Sequence, residues 1–381
     1  MVYWLVSIPA PPAEADACWN SLQEDTTYQS DLSVNFHFKV PDFRVGTLDT
    51  LLGLSDDLLK VNSSVEGTVN KIRRQLFELQ SSAVSGGGGE EAEEAGSGAA
   101  LVEGTSPVDY LQHFEWQEAK FPVKRPLKQT IGAITDVIQA LDDDLKLRTT
   151  EYTQLKTQLQ GVLRKRTGSL AVRDLSDVVG PETLVDTENL VTLLVVVPRS
   201  SVPEFFKVYE TLVDFGVVPR SAALAAEDAE HSVLRVVLFR RAADDFKAAA
   251  RAKGFTAKEV AADAEAAKGN AEAVQRLRAT LEAKRAEFEA WCAASYSEAF
   301  GSWIHVLAVR LFVESILRYG LPPQFVPVLM RPNPKHVSKL RKLLASKYAG
   351  VGSQFYGGEG GQETDIYPYV SFTLAIEERG A

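Results

Sequence analysis

Cysteine is scarce in this 381-residue sequence, with Cys18 and Cys292 as its two members. They lie far apart and lack the spacing of a disulfide framework or of a thiolate zinc site. The five histidines are scattered, and the HExxH pattern of zinc enzymes is absent. We therefore expect a reducing cytosolic environment, no metal site and no disulfide-stabilised fold.

Positive charge is also in deficit, since 41 Lys and Arg residues stand against 51 Asp and Glu residues, for a formal charge of −10. This balance repels phosphate backbones, so nucleic acid is not an expected partner.

Residues 190–198 are too few to cross a bilayer, and residues 303–319 carry charged side chains such as Arg310 and Glu314. Residues 1–12 contain three prolines and no basic residue, which predicts a strand and not a signal peptide. No direct membrane insertion is expected.

The sequence lacks the local motifs of an enzyme. It contains neither the GxxxxGK loop, followed by Ser or Thr, that cradles phosphates nor the GxSxG turn of serine hydrolases. The glycines at 357–361 lack GxGxxG spacing and predict a flexible loop. Asp142, Asp143 and Asp144 point about 100° apart on a helix, so they predict a solvated face and not a cation site. We predict no catalytic, cofactor-binding or metal-binding residues, although a triad assembled from distant residues would leave no local trace.

The sequence does contain three long segments in which apolar residues recur at helical spacing. From Thr47 to Leu79 an apolar residue recurs every seven positions, which predicts one long amphipathic helix. Residues 127–166 place apolar side chains at alternating steps of four and three, and only Arg148 interrupts this seam. Residues 258–319 keep a similar period. Because each helix needs a partner for its apolar face, we predict that 127–166 and the first part of 258–319 pair as an antiparallel two-stranded stalk.

Shorter elements are predicted around these helices. Between the stalk helices lies a small mixed domain, with strands at 189–197, 217–225 and 232–239 and helices at 202–212 and 242–253.

Two further local signals precede the first stalk helix. Ser106, followed by Pro107 and Asp109, predicts the capped start of a helix. Residues 81–105 contain a glycine run and an acidic patch, have almost nothing to bury, and predict a mobile loop.

The chain exceeds the size of one hydrophobic core, so more than one domain is expected. We predict an α+β fold that is mostly helical: an elongated two-lobed protein with long antiparallel neck helices, a small mixed α/β head and a foot lobe formed by both chain ends. The predicted segments are 1–126 (foot, first part, with the mobile loop 81–105), 127–166 (first neck helix), 167–257 (head), 258–300 (second neck helix) and 301–381 (foot, second part).

Two groups of residues are candidates for partner contacts. Arg240, Arg241, Lys247 and Arg251 form a small basic patch beside the last helix of the head, which suits either an acidic partner helix or solvent. Phe300 lies beside an apolar face of the last long helix, where it serves either a partner contact or the core of the foot.

Four separated blocks carry a family resemblance: FKVPDFRVGTLDTL at 38–51, YLQHFEW at 110–116, KRTGSLAVRDL at 165–175 and VESILRYGLPP at 313–323. In order and in spacing they resemble the C subunit of the eukaryotic vacuolar-type proton-pumping ATPase (V-ATPase). The resemblance covers nearly the whole chain and implies the same foot, neck and head.

The resemblance also implies a function. A member of this family is a non-catalytic stator component whose head and foot bind peripheral stalks made of the E and G subunits, and whose foot meets the membrane-bound a subunit. It would lie on the cytosolic face of vacuolar and endosomal membranes and leave when the pump disassembles. Actin is a further partner in some members, although no motif in this sequence carries that property.

The sequence departs from the family at two places, since loop 81–105 is expanded and residues 350–361 are only loosely similar.

Two other classes of protein stay open at this point. A cytosolic coiled-coil scaffold or actin-binding protein would share the heptads without needing the four blocks. A hydrolase or ligase in the head would need an enclosed pocket.

Overall fold

The computed structural model describes residues 1–84, 100–167, 169–171, 175, 184–259, 264–349 and 367–376. The chain divides into unit 1, Met1–Arg148 with Ala286–Ala381, and unit 2, Thr149–Arg285. Helices predominate beside two antiparallel sheets, so the predicted α+β, mostly helical class is confirmed.

The helices have the bounds α1 Ala15–Gln23, α2 Leu48–Val84, α3 Pro107–Gln112, α4 Leu127–Thr167, α5 Val202–Val208, α6 Ala243–Ala252, α7 Ala264–Tyr319 and α8 Val337–Lys347. The strands have the bounds β1 Val2–Pro9, β2 Ser33–His37, β3 Leu190–Pro198, β4 Ala223–Glu227, β5 His231–Phe239, β6 Thr256–Glu259, β7 Phe325–Pro332 and β8 Val370–Ala375.

Unit 1 contains an antiparallel sheet with the strand order β2-β7-β1-β8. Its central strand β1 is rich in aromatic and β-branched residues and is buried along most of its length, as a central strand requires. On one face of the sheet, Trp4 and Val6 pack in a core with Leu22 of α1 and with Leu340 and Leu344 of α8. Helices α1 and α8 therefore cover this face.

The other long feature of unit 1 is the last part of α7. From Trp303 to Leu317 nearly every side chain is buried, on all sides of the helix. A helix that is apolar all round belongs inside a core. Ser315 Oγ donates to Ser7 Oγ at 2.7 Å, and Tyr319 Oη donates to the Ser7 carbonyl at 2.6 Å. These bonds join α7 to strand β1.

Helix α2 packs along α7 in the antiparallel direction. Ser55 Oγ donates to Glu314 Oε1 at 2.8 Å, and Trp303 Nε1 donates to Asn62 Oδ1 at 3.1 Å. The residue number therefore increases along α2 from Ser55 to Asn62 while that of the contacting residue decreases along α7 from Glu314 to Trp303, as antiparallel packing requires. The two helices share one buried seam.

Arg148, which interrupts the predicted seam of α4, is accommodated by α7. Its guanidinium lies 5.1 Å from the ring centroid of Trp291 and 3.3 Å from the Glu287 carboxylate. Stacking on an indole keeps the cation in an apolar seam while its charge is paired. The interruption is therefore a specific contact between α4 and α7.

Unit 2 contains a second antiparallel sheet, with the strand order β4-β5-β3-β6. Strand β3 is buried on both faces. One face packs on Phe205 of α5 and Phe246 of α6, and the other packs on Leu170 and Leu175.

The two units share one connectivity. In unit 2 the order along the chain is β3-α5-β4-β5-α6-β6, and in unit 1 it is β1-α1-β2, then β7-α8-β8. With their sheet orders, both are the βαββαβ arrangement of ferredoxin-like folds. In unit 1 the arrangement is interrupted between β2 and β7, where the chain runs through α2, α3, α4, unit 2 and α7.

Several local predictions are confirmed. The strand at the start of the chain is β1, the heptads of 47–79 form α2, and 127–166 form α4. Ser106 caps α3, because its hydroxyl accepts the backbone N–H of Asp109 at 3.0 Å. The buried strand at 189–197 is β3.

Other predictions need correction. The second long helix does not start at Lys258, because Thr256–Glu259 is strand β6, paired with β3. The alanine-rich and charged composition predicts a helix there, but residues 256–259 form a strand because they pair with the buried strand β3. The strand predicted at 217–225 begins later, at Ala223, since Val217 forms only a single bridge and Arg220 adopts a positive φ of 57°.

Two predicted loops fall partly or wholly outside the described residues. Of the loop 81–105, residues 85–99 are not described, whereas α2 continues to Val84 and Val102 pairs with Thr105. The glycines at 357–361 are not described.

Gly216 provides a test of unit 2 packing. A Cβ at this position would lie 2.7 Å from the Cβ of Ala242 and 3.0 Å from Cγ1 of Val213. We expect Gly216→Ala to lower the free energy of unfolding of unit 2 by about 1–3 kcal/mol through overpacking. Hydrogen exchange of the β3 and β5 amides measures this loss.

The control for this substitution is Gly161→Ala in α4, where a Cβ would meet nothing within 4 Å. Alanine should raise the stability there by up to about 1 kcal/mol. Equal protection of β3 and β5 in both variants would contradict the packing argument.

Candidate functional site

The predicted basic patch lies in unit 2, between the end of β5 and α6. Arg240 is paired with the carboxylate of Asp186 and lies 3.6 Å from Glu259. Lys247 lies 3.0 Å from Glu259 and 3.3 Å from Asp244. Two of the four predicted cations are thus engaged with carboxylates of the same unit.

The other two cations are more available. The Arg241 guanidinium lies 5.6 Å from the ring centroid of Phe239, and Arg251 is exposed on α6. Within the described part of the chain, neither guanidinium forms an ion pair with a carboxylate. Arg241 and Arg251 therefore carry what positive charge this patch offers to a partner.

An exposed aromatic residue lies beside the patch. Phe215 is 93% exposed and adopts a positive φ of 53°, which is unusual for a bulky residue. The carbonyl of its neighbour Gly216 accepts the backbone N–H of Phe239 at 2.9 Å, so Phe215 lies next to the strand end that bears Arg241. Sequence reasoning missed Phe215, because a lone apolar residue in a turn carries no periodic signal.

Phe300 is not available to a partner in this structure. Its side chain is 1% exposed, and its ring packs against Tyr110, Tyr296 and Trp303 at centroid distances of 6.0, 5.8 and 5.7 Å. The expectation of a partner contact at Phe300 is therefore replaced by the alternative, a place in the core of unit 1.

A second aromatic cluster in unit 1 surrounds His305, which is 0% exposed. Its ring centroid lies 5.0, 4.8 and 4.9 Å from those of Phe114, Trp116 and Phe121. The cluster places the YLQHFEW block against α7.

The hydrogen bonds of His305 define its tautomer. Its Nδ1 lies 2.7 Å from the Gly301 carbonyl, and its Nε2 lies 3.1 Å from the backbone N–H of Gln117. Nδ1 therefore donates and Nε2 accepts, which is the neutral imidazole. Burial lowers the pKa of His305 from 6.5 to about 4.

In the part of the chain that the structure describes, Cys292 and His305 are each enclosed in the core of unit 1. Burial raises the pKa of the Cys292 thiol to about 12, which keeps it protonated and unreactive. Both nitrogens of His305 are engaged by backbone groups. Among the described residues there is no group of three or more His, Cys, Asp or Glu side chains that could hold a metal ion.

One helix of the described residues is long and apolar enough to cross a membrane by length and composition, namely Glu272–Tyr319 within α7. Of its apolar window, 83% is buried inside the protein. This burial is typical of a core helix, so length and composition are weak evidence for a membrane span.

Comparison with known proteins gives one consistent result. The family model that describes the C subunit of V-ATPase matches residues 3–370. The C subunit of the V-type proton ATPase from Arabidopsis thaliana is 42% identical over 382 residues, which cover 98% of this chain and 99% of that relative. The C 1 subunit of the V-type proton ATPase from Xenopus tropicalis is 37% identical and is covered to 97%, again over 98% of this chain.

A solved structure also aligns with the chain, the cytoplasmic N-terminal domain of the I subunit of V-ATPase, a homolog of the a subunit. The alignment covers 98% of this chain and 100% of that one at 13% identity. Its TM-score of 0.24 is too low to indicate a shared fold.

The buried neutral state of His305 predicts a pH dependence of unit 1. The unfolded chain binds a proton at the usual pKa near 6.5, whereas the folded state does so only near 4. The contribution of His305 to the free energy of unfolding should therefore be constant above pH 6.5 and fall by about 3 kcal/mol as the pH drops to 4. All five tryptophans lie in unit 1, so tryptophan fluorescence during denaturant titration reports on this unit.

A matched pair of variants isolates the effect of this residue. His305→Gln keeps one donor and one acceptor without titrating, and should remove most of the loss of stability between pH 6.5 and pH 4. His336→Gln removes an exposed histidine of the same unit and should leave it unchanged. An unchanged pH profile in His305→Gln would show that the dependence arises elsewhere.

Proposed function

The chain belongs to the family of V-ATPase C subunits, and from this premise we propose that it is a non-catalytic stator component of the vacuolar-type proton-translocating ATPase. The observation that carries the proposal is a match along residues 3–370, together with 42% identity to a member of that family over nearly the full length of both chains. Because the chain belongs to this family, it is a subunit of the V-ATPase. Its role in the stator is the part that we propose.

A stator resists the torque on the rotor, so it needs stiffness and attachment points more than chemistry. Helices α4 and α7 have 41 and 56 residues, which corresponds to about 60 and 85 Å at the rise of an α-helix. The proposal includes the elongated two-lobed form, with a neck made by 127–166 and by α7 up to residue 300. In it, unit 2 provides the head and both chain ends provide the foot.

The proposed partners are the peripheral stalks of E and G subunits, bound by head and foot, and the cytosolic part of the membrane-bound a subunit, bound by the foot. Several moderate contacts acting together give high avidity, while the loss of one weakens the others. This arrangement suits a protein that is released when the pump disassembles. The proposed location is the cytosolic face of vacuolar and endosomal membranes.

The test is a binding measurement on the purified full chain with a recombinant E and G heterodimer, followed by an ATPase assay of the chain alone. We expect binding without turnover. Turnover without binding would overturn the proposal. Cosedimentation with actin filaments, without binding to E and G, would favour the alternative of a coiled-coil scaffold or actin-binding protein.

The basic patch of unit 2 gives a sharper prediction within this proposal. Reversing the two available charges, in Arg241→Glu with Arg251→Glu, should weaken binding of the E and G heterodimer about tenfold and reduce its salt dependence. Isothermal titration calorimetry at two salt concentrations measures both effects.

The control is Lys207→Glu, which reverses an exposed charge on α5 of the same unit. Its affinity should stay close to that of the unmodified chain. Equal losses in the control and in the double variant would indicate a general charge effect and would remove the patch from the interface.

A further inference from the structure

Unit 1 contains a large groove at the end of its sheet, here called the unit 1 groove. Its volume is about 1210 Å³, and it is lined by residues of β1, β2 and β7, by α8 and by Tyr367. Val2, Val34 and Val337 line it while remaining 48%, 37% and 38% exposed. Exposed apolar side chains gathered in one concavity are typical of a binding surface.

One wall of the groove is a single face of α8. Val337, Arg341 and Ala345 follow each other at steps of four and line the groove. The neighbouring face of α8, about 80° further around the helix, carries Leu340 and Leu344, which are buried in the core. A row at steps of four is the ridge against which another helix packs. The geometry of this wall therefore suits a helix.

The groove is locally basic although the chain as a whole has a formal charge of −10. Arg331, Arg341 and Lys342 line it, and Asp31 is the carboxylate among the described lining residues. Arg331 and Lys342 are exposed and therefore accessible to a ligand. A partner with carboxylates is favoured at this rim.

Arg341 is held rigidly at the base of the groove. Its guanidinium lies 3.7 Å from the Trp4 ring centroid and 4.6 Å from that of Tyr367. It also donates to Ser371 Oγ at 2.9 Å and to Tyr369 Oη at 3.2 Å. The groove thus has a preorganised base, which reduces the entropy lost on binding.

From these observations we infer that the unit 1 groove docks an amphipathic helix of another protein, with its apolar stripe on Val2 and Val337, which share the sheet face that α8 covers, and its carboxylates beside Arg331 and Lys342. The volume exceeds the range of about 300–1,000 Å³ that small-molecule pockets occupy. A bilayer is a poorer occupant, because the apolar side chains line a concavity and do not project toward a flat surface. Docking of an apolar helix face in a groove is an established mode of protein recognition.

The inference rests on the proposed function, because the helix would belong to another component of the pump. The probes are the recombinant E and G heterodimer and the cytosolic N-terminal domain of the a subunit, each titrated with the full chain. We expect Arg331→Glu with Lys342→Glu to weaken binding of one of these probes at least about tenfold. The same variant should bind the other probe normally.

The matched control is Lys335→Glu with Lys339→Glu, which reverses two exposed charges of the same region that do not line the groove. It should bind both probes like the unmodified chain. Tryptophan fluorescence during unfolding verifies that both double variants keep unit 1 folded.

A photo-crosslinking residue at Val337 identifies the occupant in the assembled complex, with Lys339 as the comparison position. We expect crosslinks from 337 to a helical segment that has an apolar stripe and acidic flanks. Crosslinks to a second copy of this chain, or binding of the unmodified chain to anionic phosphatidylserine vesicles that the groove variant loses, would overturn the inference.

The outcomes separate the two proposals. If the unmodified chain binds neither probe, the stator role fails. If it binds and the groove variant binds both probes equally well, the stator role stands and the docking groove fails.

Discussion

The burial of the last part of α7 on every side is the constraint on which unit 1 depends. A helix without a polar face gains its free energy only when all of its faces are covered. Strand β1 covers one face through Ser7, α2 covers another through Asn62 and Ser55, and the 110–121 segment covers a third around His305. Each of these elements buries a face of α7 that the others leave exposed. We therefore expect unit 1 to unfold cooperatively.

This constraint also explains the order of the chain. The βαββαβ arrangement occurs whole in unit 2 but is split in unit 1, where β2 and β7 are neighbours in the sheet and distant in sequence. A split of this kind requires the two ends of the inserted part to return to the same sheet. The long helices satisfy that requirement because α7 ends directly before β7. Both chain ends consequently lie in one unit.

Several arginine side chains in the described residues link one secondary-structure element to another. Arg148 stacks on Trp291, Arg341 lies between Trp4 and Tyr367, and Arg240 is paired with Asp186. These groups join different elements of the same unit. Two other features face outward: the exposed Phe215 near Arg241 in unit 2, and the apolar groove with a basic rim in unit 1. Such surfaces are adapted to binding, which agrees with a component of a large complex.

The sequence by itself determined the features that arise within a short stretch of chain. Heptads predicted α2 and α4, a capping serine predicted α3, an apolar run predicted β3, and four blocks indicated the family. Strands β2, β7 and β8, helix α8 and the unit 1 groove escaped sequence reasoning, and strand β6 was mistaken for a helix start. Short strands carry little periodic signal, and each of these depends on a partner far away in the chain. Only the tertiary structure decided that Phe300 is core, that Arg240 and Lys247 are paired within unit 2, and that Val2 and Val337 share a groove, because burial and pairing are properties of residues brought together from distant segments.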